Sequence, residues 1–240
     1  MSIADLLKAT TPKYELILPS TNETKQFRPF LVKEEKILLI AKESLNEAAI
    51  MIAIKELIES CVYGIENVED LPMFDIEHLY LQLRAKSIGE TLTPTIVCPK
   101  TKERIKVNIN IEDIKVQRNK KHTNEIKISK DIIVTMKYPS IRMVEEIQRN
   151  KLEDEDHKVP LFYVIVNTID KIETKEETID CSVLPKEELE EFVDNLTKSQ
   201  YESIIKFYST SPKIEYKAEY ETSDGETREL VLRGLLDFFT

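Results

Sequence analysis

Between Leu71 and Gly89 the apolar residues recur at helical spacing, and this stretch predicts an amphipathic helix that leads directly into a β-hairpin. Leu71-Pro72 ends the preceding segment, Asp75 is placed to accept hydrogen bonds from the first free backbone amides, and Gly89 is typical of a helix end. The apolar stripe consists of Ile76, Leu79, Tyr80 and Leu83. We expect the second half of the chain to repeat this arrangement of helix and hairpin.

Two other segments are apolar on nearly every side. A helix predicted from Asn46 to Val62 carries apolar residues from Ala48 to Ile54 without a break, so it must be covered all round, by its own core or by another chain. The segment from Pro160 to Ile172 is also predicted to be a helix, although its β-branched residues are compatible with a strand. For both segments the pattern leaves core and interface open.

The order of predicted elements is similar in the two halves of the chain. Each half contains a strand pair, a helix, an apolar helix, an acidic connector, Leu-Pro, an amphipathic helix, a hairpin and an apolar turn. We infer a diverged duplication, and we predict an α+β, helix-rich fold of two pseudo-repeated lobes, each with helices and small antiparallel β-hairpins. The basic stretch from Gln117 to Asn124 is the expected boundary, which gives lobes at residues 1–118 and 119–240.

Charge and composition narrow the function classes. The net charge of −10, from 44 acidic against 34 basic residues, disfavours nonspecific binding of nucleic acid. Only four glycines are present, which argues against a glycine-rich phosphate loop. The chain has no run of about 18 apolar residues and no signal-peptide pattern. We therefore expect a cytoplasmic protein without a nucleic-acid or membrane partner.

The residues available for metal or nucleophilic chemistry are few and scattered. The three cysteines are Cys61, Cys98 and Cys181. Their odd number and wide spacing predict reduced, mostly buried thiols. A zinc knuckle at Cys98 would need a second thiolate three positions later, where Thr101 stands, and the three histidines are not spaced as metal ligands. We expect no catalytic residue, no bound metal and no cofactor.

Three separated blocks of sequence carry a family resemblance. They are the segment from Phe27 to Lys36, the helix end from Leu83 to Glu90 and the closing segment from Pro212 to Phe239. In this order, and over nearly the full length, they resemble the baseplate hub assembly proteins of contractile-tailed (T-even-like) bacteriophages. Many members of that family carry Cys-x-x-Cys where Cys98 to Thr101 stands and again near Tyr220 to Ser223. This chain keeps one cysteine of the four, which argues against an intact zinc knuckle and leaves a degenerate one as the weakest alternative.

The resemblance implies a non-enzymatic viral tail protein that takes part in assembly of the baseplate hub. Its implied partners are other phage baseplate or tail hub proteins, met in the host cytoplasm during assembly. Two questions stay open. The protein either remains in the virion tail baseplate or acts as an assembly chaperone that leaves, and it either acts alone or forms a homo-oligomer.

Exposed aromatic and arginine side chains make good interface anchors, unless they are buried in the core. On this ground we predict contact residues at three places: the edge from Phe27 to Phe30, the end of the helix from Ile76 to Lys86, and the C-terminus. The predicted contact residues are Phe27, Arg28, Phe30, Tyr80, Arg84, Lys86, Leu235, Phe238 and Phe239.

Overall fold

The computed structural model describes residues 10–143, 145–146 and 160–238. Backbone contacts divide the chain into two units: unit 1 comprises Met1–Gln117 with Lys213–Thr240, and unit 2 comprises Arg118–Pro212. Both units combine helices with small antiparallel sheets, which confirms the predicted α+β class.

The elements follow one another along the chain in a mixed order. The helices with described bounds are α1 (Val32–Glu43), α2 (Glu47–Cys61), α3 (Met73–Ser87), α4 (Pro160–Thr168), α5 (Lys186–Asp194), α6 (Lys198–Thr210) and α7 (Gly234–Phe238). The strands are β1 (Tyr14–Ile17), β2 (Thr24–Phe27), β3 (Val62–Tyr63), β4 (Thr91–Leu92), β5 (Thr95–Val97), β6 (Arg104–Lys106), β7 (Ile109–Asn110), β8 (Val116–Gln117), β9 (Glu125–Lys127), β10 (Ile133–Met136), β11 (Ile169–Glu173), β12 (Thr178–Asp180), β13 (Lys213–Glu221) and β14 (Thr227–Arg233). Short 3-10 turns lie at Val68–Asp70, Ile111–Asp113 and Cys181–Val183.

Unit 1 contains several small sheets rather than one large sheet. Its three-stranded sheets have the orders β1-β2-β3 and β14-β13-β8, and β4 pairs with β7 while β5 pairs with β6. Unit 2 has one four-stranded sheet of order β12-β11-β10-β9. All of these pairings are antiparallel, as the predicted hairpins require.

Helix α3 is the centre of unit 1, because it is buried on every side and contacts α2, α7 and β13. Several of its polar groups therefore find partners inside the protein, whereas the buried Nε of Arg84 has none within hydrogen-bonding distance among the described residues. The Arg84 guanidinium donates through Nη1 to the backbone oxygens of Gly89 and Thr91, at 3.3 and 3.2 Å. Asp75, which we predicted to cap this helix, instead accepts hydrogen bonds from the Ser20 amide, at 3.0 Å, and from the Ser20 hydroxyl. That prediction was wrong because the helix already begins at Met73.

The closing hairpin belongs to unit 1, which differs from the expected lobe of residues 119–240. Lys213 pairs with Gln117 and Ile214 with Val116, so β13 extends a sheet that begins in the first half of the chain. Phe238, fully buried in α7, joins one core cluster with Leu81 of α3. The difference arises because these contacts join residues about a hundred positions apart, which no local pattern reveals.

Unit 2 builds its core between its sheet and α4, α5 and α6. Core members include Val134, Ile165 and Phe207, each almost fully buried. His122, from the predicted linker, packs here: its ring nitrogens lie 2.9 Å from the hydroxyls of Thr210 and Tyr138. The basic stretch around His122 is therefore part of this unit rather than a free connector.

The predicted helix from Pro160 to Ile172 is correct only in its first part. Helix α4 ends at Thr168, and Ile169 starts β11, which pairs with β10. Ile169 and Ile172 are buried in the core of unit 2. The β-branched residues of this segment are thus divided between helix α4 and strand β11.

The two units share part of their order of elements. In each unit a hairpin is followed by a later strand that pairs with the second hairpin strand: β3 with β2, and β11 with β10. A 3-10 turn, Leu-Pro and a helix follow in both units, at Leu71-Pro72 and at Leu184-Pro185, with β12 intervening in unit 2. The resemblance covers topology, whereas the helices that follow differ in length.

Glu77 is a buried carboxyl group on α3. It accepts a hydrogen bond from the Ile214 amide, but burial outweighs this bond and raises its pKa to about 7 from an ordinary value of 4.5. The raised pKa makes the folded state bind a proton that the unfolded state has released. This group therefore stabilises the fold fully below pH 4.5, and that contribution is lost as the pH rises through about 7.

We expect Glu77→Gln to be more stable than the wild type above pH 7 and to match it near pH 4, since glutamine keeps the hydrogen-bond acceptor without the charge. The expected gain is on the order of 2–3 kcal/mol in the free energy of unfolding. Urea unfolding of both proteins at about pH 4, 6 and 8 measures it. A difference that stays constant across this range would contradict the assignment.

Candidate interaction surface

Most of the predicted contact residues are buried in unit 1. The side chains with at most 7% exposure are Phe27, Phe30, Tyr80, Arg84, Leu235 and Phe238. The structure thus corrects the prediction that they are surface anchors, because their contacts stabilise the fold itself.

The burial of these residues has local causes. Phe27 lies opposite Val62 in the β1-β2-β3 sheet and on its inward side, with its ring centroid 5.6 Å from that of Tyr14. Tyr80 and Arg84 belong to α3, which other elements surround. Phe238 lies in the short terminal helix that covers the core of unit 1.

Two predicted contact residues remain partly exposed, and one lies outside the described residues. The Arg28 side chain is 15% exposed and donates to the backbone oxygens of Pro29 and Ser60 and to Glu34. The Lys86 side chain is 32% exposed and pairs with Glu90 at 2.6 Å. The remaining predicted contact residue, Phe239, lies outside the described residues.

The outer side of α1 exposes large apolar residues next to charged ones. The buried side of this helix, which packs against α2, carries Glu34, Leu38 and Ala41. At about 100° per residue, Val32, Leu39 and Ile40 lie on the opposite side. These three residues, which we call the outer face, are 66%, 52% and 68% exposed. A surface helix usually presents polar residues to water, so this face is available to another protein.

The α1–α2 turn and α2 expose further apolar residues. Leu45, at the turn, has a positive φ of 52° and is 88% exposed, and Ile52 is 50% exposed. The buried side of α2 carries Ile50, Ala53, Ile54, Leu57, Ile58 and Cys61. The core therefore covers one side of the apolar helix predicted from Asn46 to Val62 and leaves Ile52 outside it.

Sequence reasoning missed the outer face of α1, although a signal was present. Ile37 to Ile40 are four consecutive apolar residues, and such a run spreads over about 300° of a helix, more than one packing side can cover.

The structure brings Cys98 and Tyr220 together at the ends of two hairpins in unit 1. The Thr101 side chain, the backbone amides of this turn and the Tyr220 side chain lower the pKa of the Cys98 thiol to about 7. The Ser223 amide and hydroxyl both donate to the Glu103 carboxylate. The turn after β5 and the β13–β14 turn are thus joined by polar contacts.

Comparison with known families decides the classification. The model of the family described as T4 bacteriophage base plate protein matches residues 11–240. The chain belongs to this family. No curated protein and no solved structure matches it. Membership indicates a structural role in the phage baseplate and agrees with the resemblance of the three sequence blocks.

In this baseplate protein the residues around Cys98 do not fit a zinc ion. The positions that the family resemblance associates with thiolates hold one thiol with Thr101, Tyr220 and Ser223, whose hydroxyls are poor zinc ligands. Among the described residues, no group of three His, Cys, Asp or Glu side chains could hold a metal ion. Within the same residues, no helix is long and apolar enough to cross a membrane.

We expect metal chelation to leave this baseplate protein unchanged, because Cys98 is the one thiol at this turn and the hydroxyls around it are poor zinc ligands. Thermal unfolding with and without about 1 mM EDTA, together with elemental analysis for zinc, measures this. A fall of several degrees in Tm on adding EDTA, or one zinc ion per chain, would contradict the prediction that the residues around Cys98 hold no zinc.

Two adjacent leucines in α1 give a matched test of the outer face. Leu38→Ala should lower the free energy of unfolding by about 2–4 kcal/mol, because it removes buried volume. Leu39→Ala should change it by less than about 0.5 kcal/mol, because its side chain meets water. Urea unfolding of the two variants measures the contrast, and equal losses would show that another element of the chain covers Leu39.

Proposed function

We propose that this baseplate protein takes part in assembly of the baseplate hub as a non-enzymatic protein, through contacts with other baseplate or tail hub proteins. Family membership supports a structural role in the baseplate. The observation that supports contact with other hub proteins is the outer face of α1. Its residues Val32, Leu39 and Ile40 are exposed to water, where a surface helix usually carries polar side chains.

The energetics of the outer face favour a protein partner. Burying one large apolar side chain is worth about 1.5–3 kcal/mol, so three such residues supply a substantial share of a specific interface. The net charge of −10 opposes indiscriminate association of these surfaces with other acidic proteins. Apolar contact at α1 then requires a partner whose shape and charge are complementary.

The described reactive groups support the non-enzymatic proposal. Cys98 lies beside Thr101 and Tyr220, and the Glu77 carboxyl accepts a hydrogen bond from the Ile214 amide. Neither group is paired with a histidine that could act as a general base. Their interactions join chain segments inside unit 1, which is a structural role.

Co-purification from infected cells tests this proposal. Affinity-tagged protein is recovered with its partners, and hub proteins are quantified by mass spectrometry for the wild type and for Leu39→Ala/Ile40→Ala. We expect the double variant to recover roughly tenfold less hub protein, because two exposed anchors are truncated. Val183→Ala is the control, since Val183 is a 79% exposed apolar residue of unit 2.

The same experiment separates the open alternatives. If the wild type and the double variant recover hub proteins equally, the outer face has no role in binding them. If no phage protein is recovered, the proposed role in assembly is wrong. Capture of untagged copies of the same chain would identify a homo-oligomer. Capture of hub proteins by a protein that is absent from finished tails would identify an assembly chaperone.

A further inference from the structure

A small cleft opens in unit 1 between the β1-β2-β3 sheet and the start of α1. Its volume is about 190 Å³. The lining residues are Thr11, Lys13, Arg28, Leu31, Lys33 and Tyr63. Small-molecule sites usually measure roughly 300 Å³ or more, so this cleft has the size for one side chain rather than for a cofactor.

The strand register concentrates positive charge at this cleft. Tyr14 pairs with Phe27, and Lys13 and Arg28 are the residues just outside this pair, at the same end of the β1–β2 hairpin. Lys33, in the first turn of α1, adds a third cation to the lining. The fold thus gathers three cations in a protein whose net charge is strongly negative.

One carboxylate faces these three cations. The same oxygen of Glu34 lies 2.9 Å from Arg28 Nη2 and 3.1 Å from Lys33 Nζ. Lys13 has no carboxylate partner among the described residues, and its ammonium lies 5.3 Å above the centre of the Tyr63 ring. The next carboxylate on this side of the sheet, Glu15, accepts a hydrogen bond from Gln26. The cleft therefore has a surplus of two positive charges.

We propose that this cleft binds a carboxylate side chain from an acidic segment of a partner protein. Arg28 is held in place by Pro29, Ser60 and Glu34, so its charge is pre-organised. Lys13 and Lys33 are exposed and able to close on the incoming carboxylate. This inference rests on the proposed function in one respect, namely that the partner is another baseplate protein.

A peptide carboxylate fits this cleft better than a phosphate does. Leu31 and Tyr63, 36% and 44% exposed, give the lining an apolar part. That part suits an apolar residue next to the carboxylate in a peptide chain.

Fluorescence anisotropy on the purified full-length chain tests the cleft. The probe is a fluorescein-labelled peptide of alternating leucine and glutamate, and the matched control peptide has glutamine in place of glutamate. We expect the glutamate peptide to bind at low salt, the glutamine peptide to bind much more weakly, and Lys13→Gln/Lys33→Gln to weaken the glutamate peptide roughly tenfold. Lys36→Gln, a neighbouring exposed lysine of α1, should leave binding unchanged.

Three results would overturn the proposal: equal binding of the two peptides, equal binding by the wild type and the double lysine variant, or displacement of the peptide by inorganic phosphate as readily as by unlabelled glutamate peptide. The titration uses purified protein, so it is independent of the capture of hub proteins. Peptide binding without hub capture would reject the proposed function and keep the cleft. Hub capture that survives in the double lysine variant, together with no peptide binding, would reject the cleft alone.

Discussion

The structure of unit 1 depends on the burial of α3 on all of its sides. A helix in that position has to satisfy its polar side chains within the protein, because each buried group without a partner costs about 1–3 kcal/mol. Asp75 does so with Ser20, Arg84 with the oxygens of Gly89 and Thr91, and the Ser87 hydroxyl accepts from the Phe30 amide at 2.9 Å. These bonds fix the first hairpin, the chain before α1 and the segment after α3 to one element.

This central helix also bears on where the proposed interaction surface lies. Its surroundings take up the aromatic residues that would otherwise make good anchors, among them Phe27, Phe30 and Phe238. Helix α1 reaches this core with one narrow side, centred on Leu38, and its remaining apolar residues face water. Contacts with other baseplate proteins are therefore better sought on α1 and at the adjacent basic cleft than among the buried aromatics.

Local signals in the sequence were sufficient to predict much of the fold. Asn46 caps α2, Thr197 caps α6 with a capping box, and Asp224-Gly225 makes the turn of the last hairpin, as their side chains and backbone preferences predict. The pairing of β13 with β8 was not predictable, because it joins distant segments whose sequences carry no mark of one another. The burial of Arg84 was not predictable from the sequence for a related reason. Its hydrogen-bond acceptors are backbone oxygens, which every residue has.

We propose that this baseplate protein acts in hub assembly, and the best test is quantitative mass spectrometry of purified hub intermediates and finished tails. We expect to find the protein in hub intermediates at a fixed ratio to the hub proteins. Its presence or absence in finished tails then distinguishes a retained component from a chaperone. If the protein is absent from both the intermediates and the tails, it does not act in hub assembly.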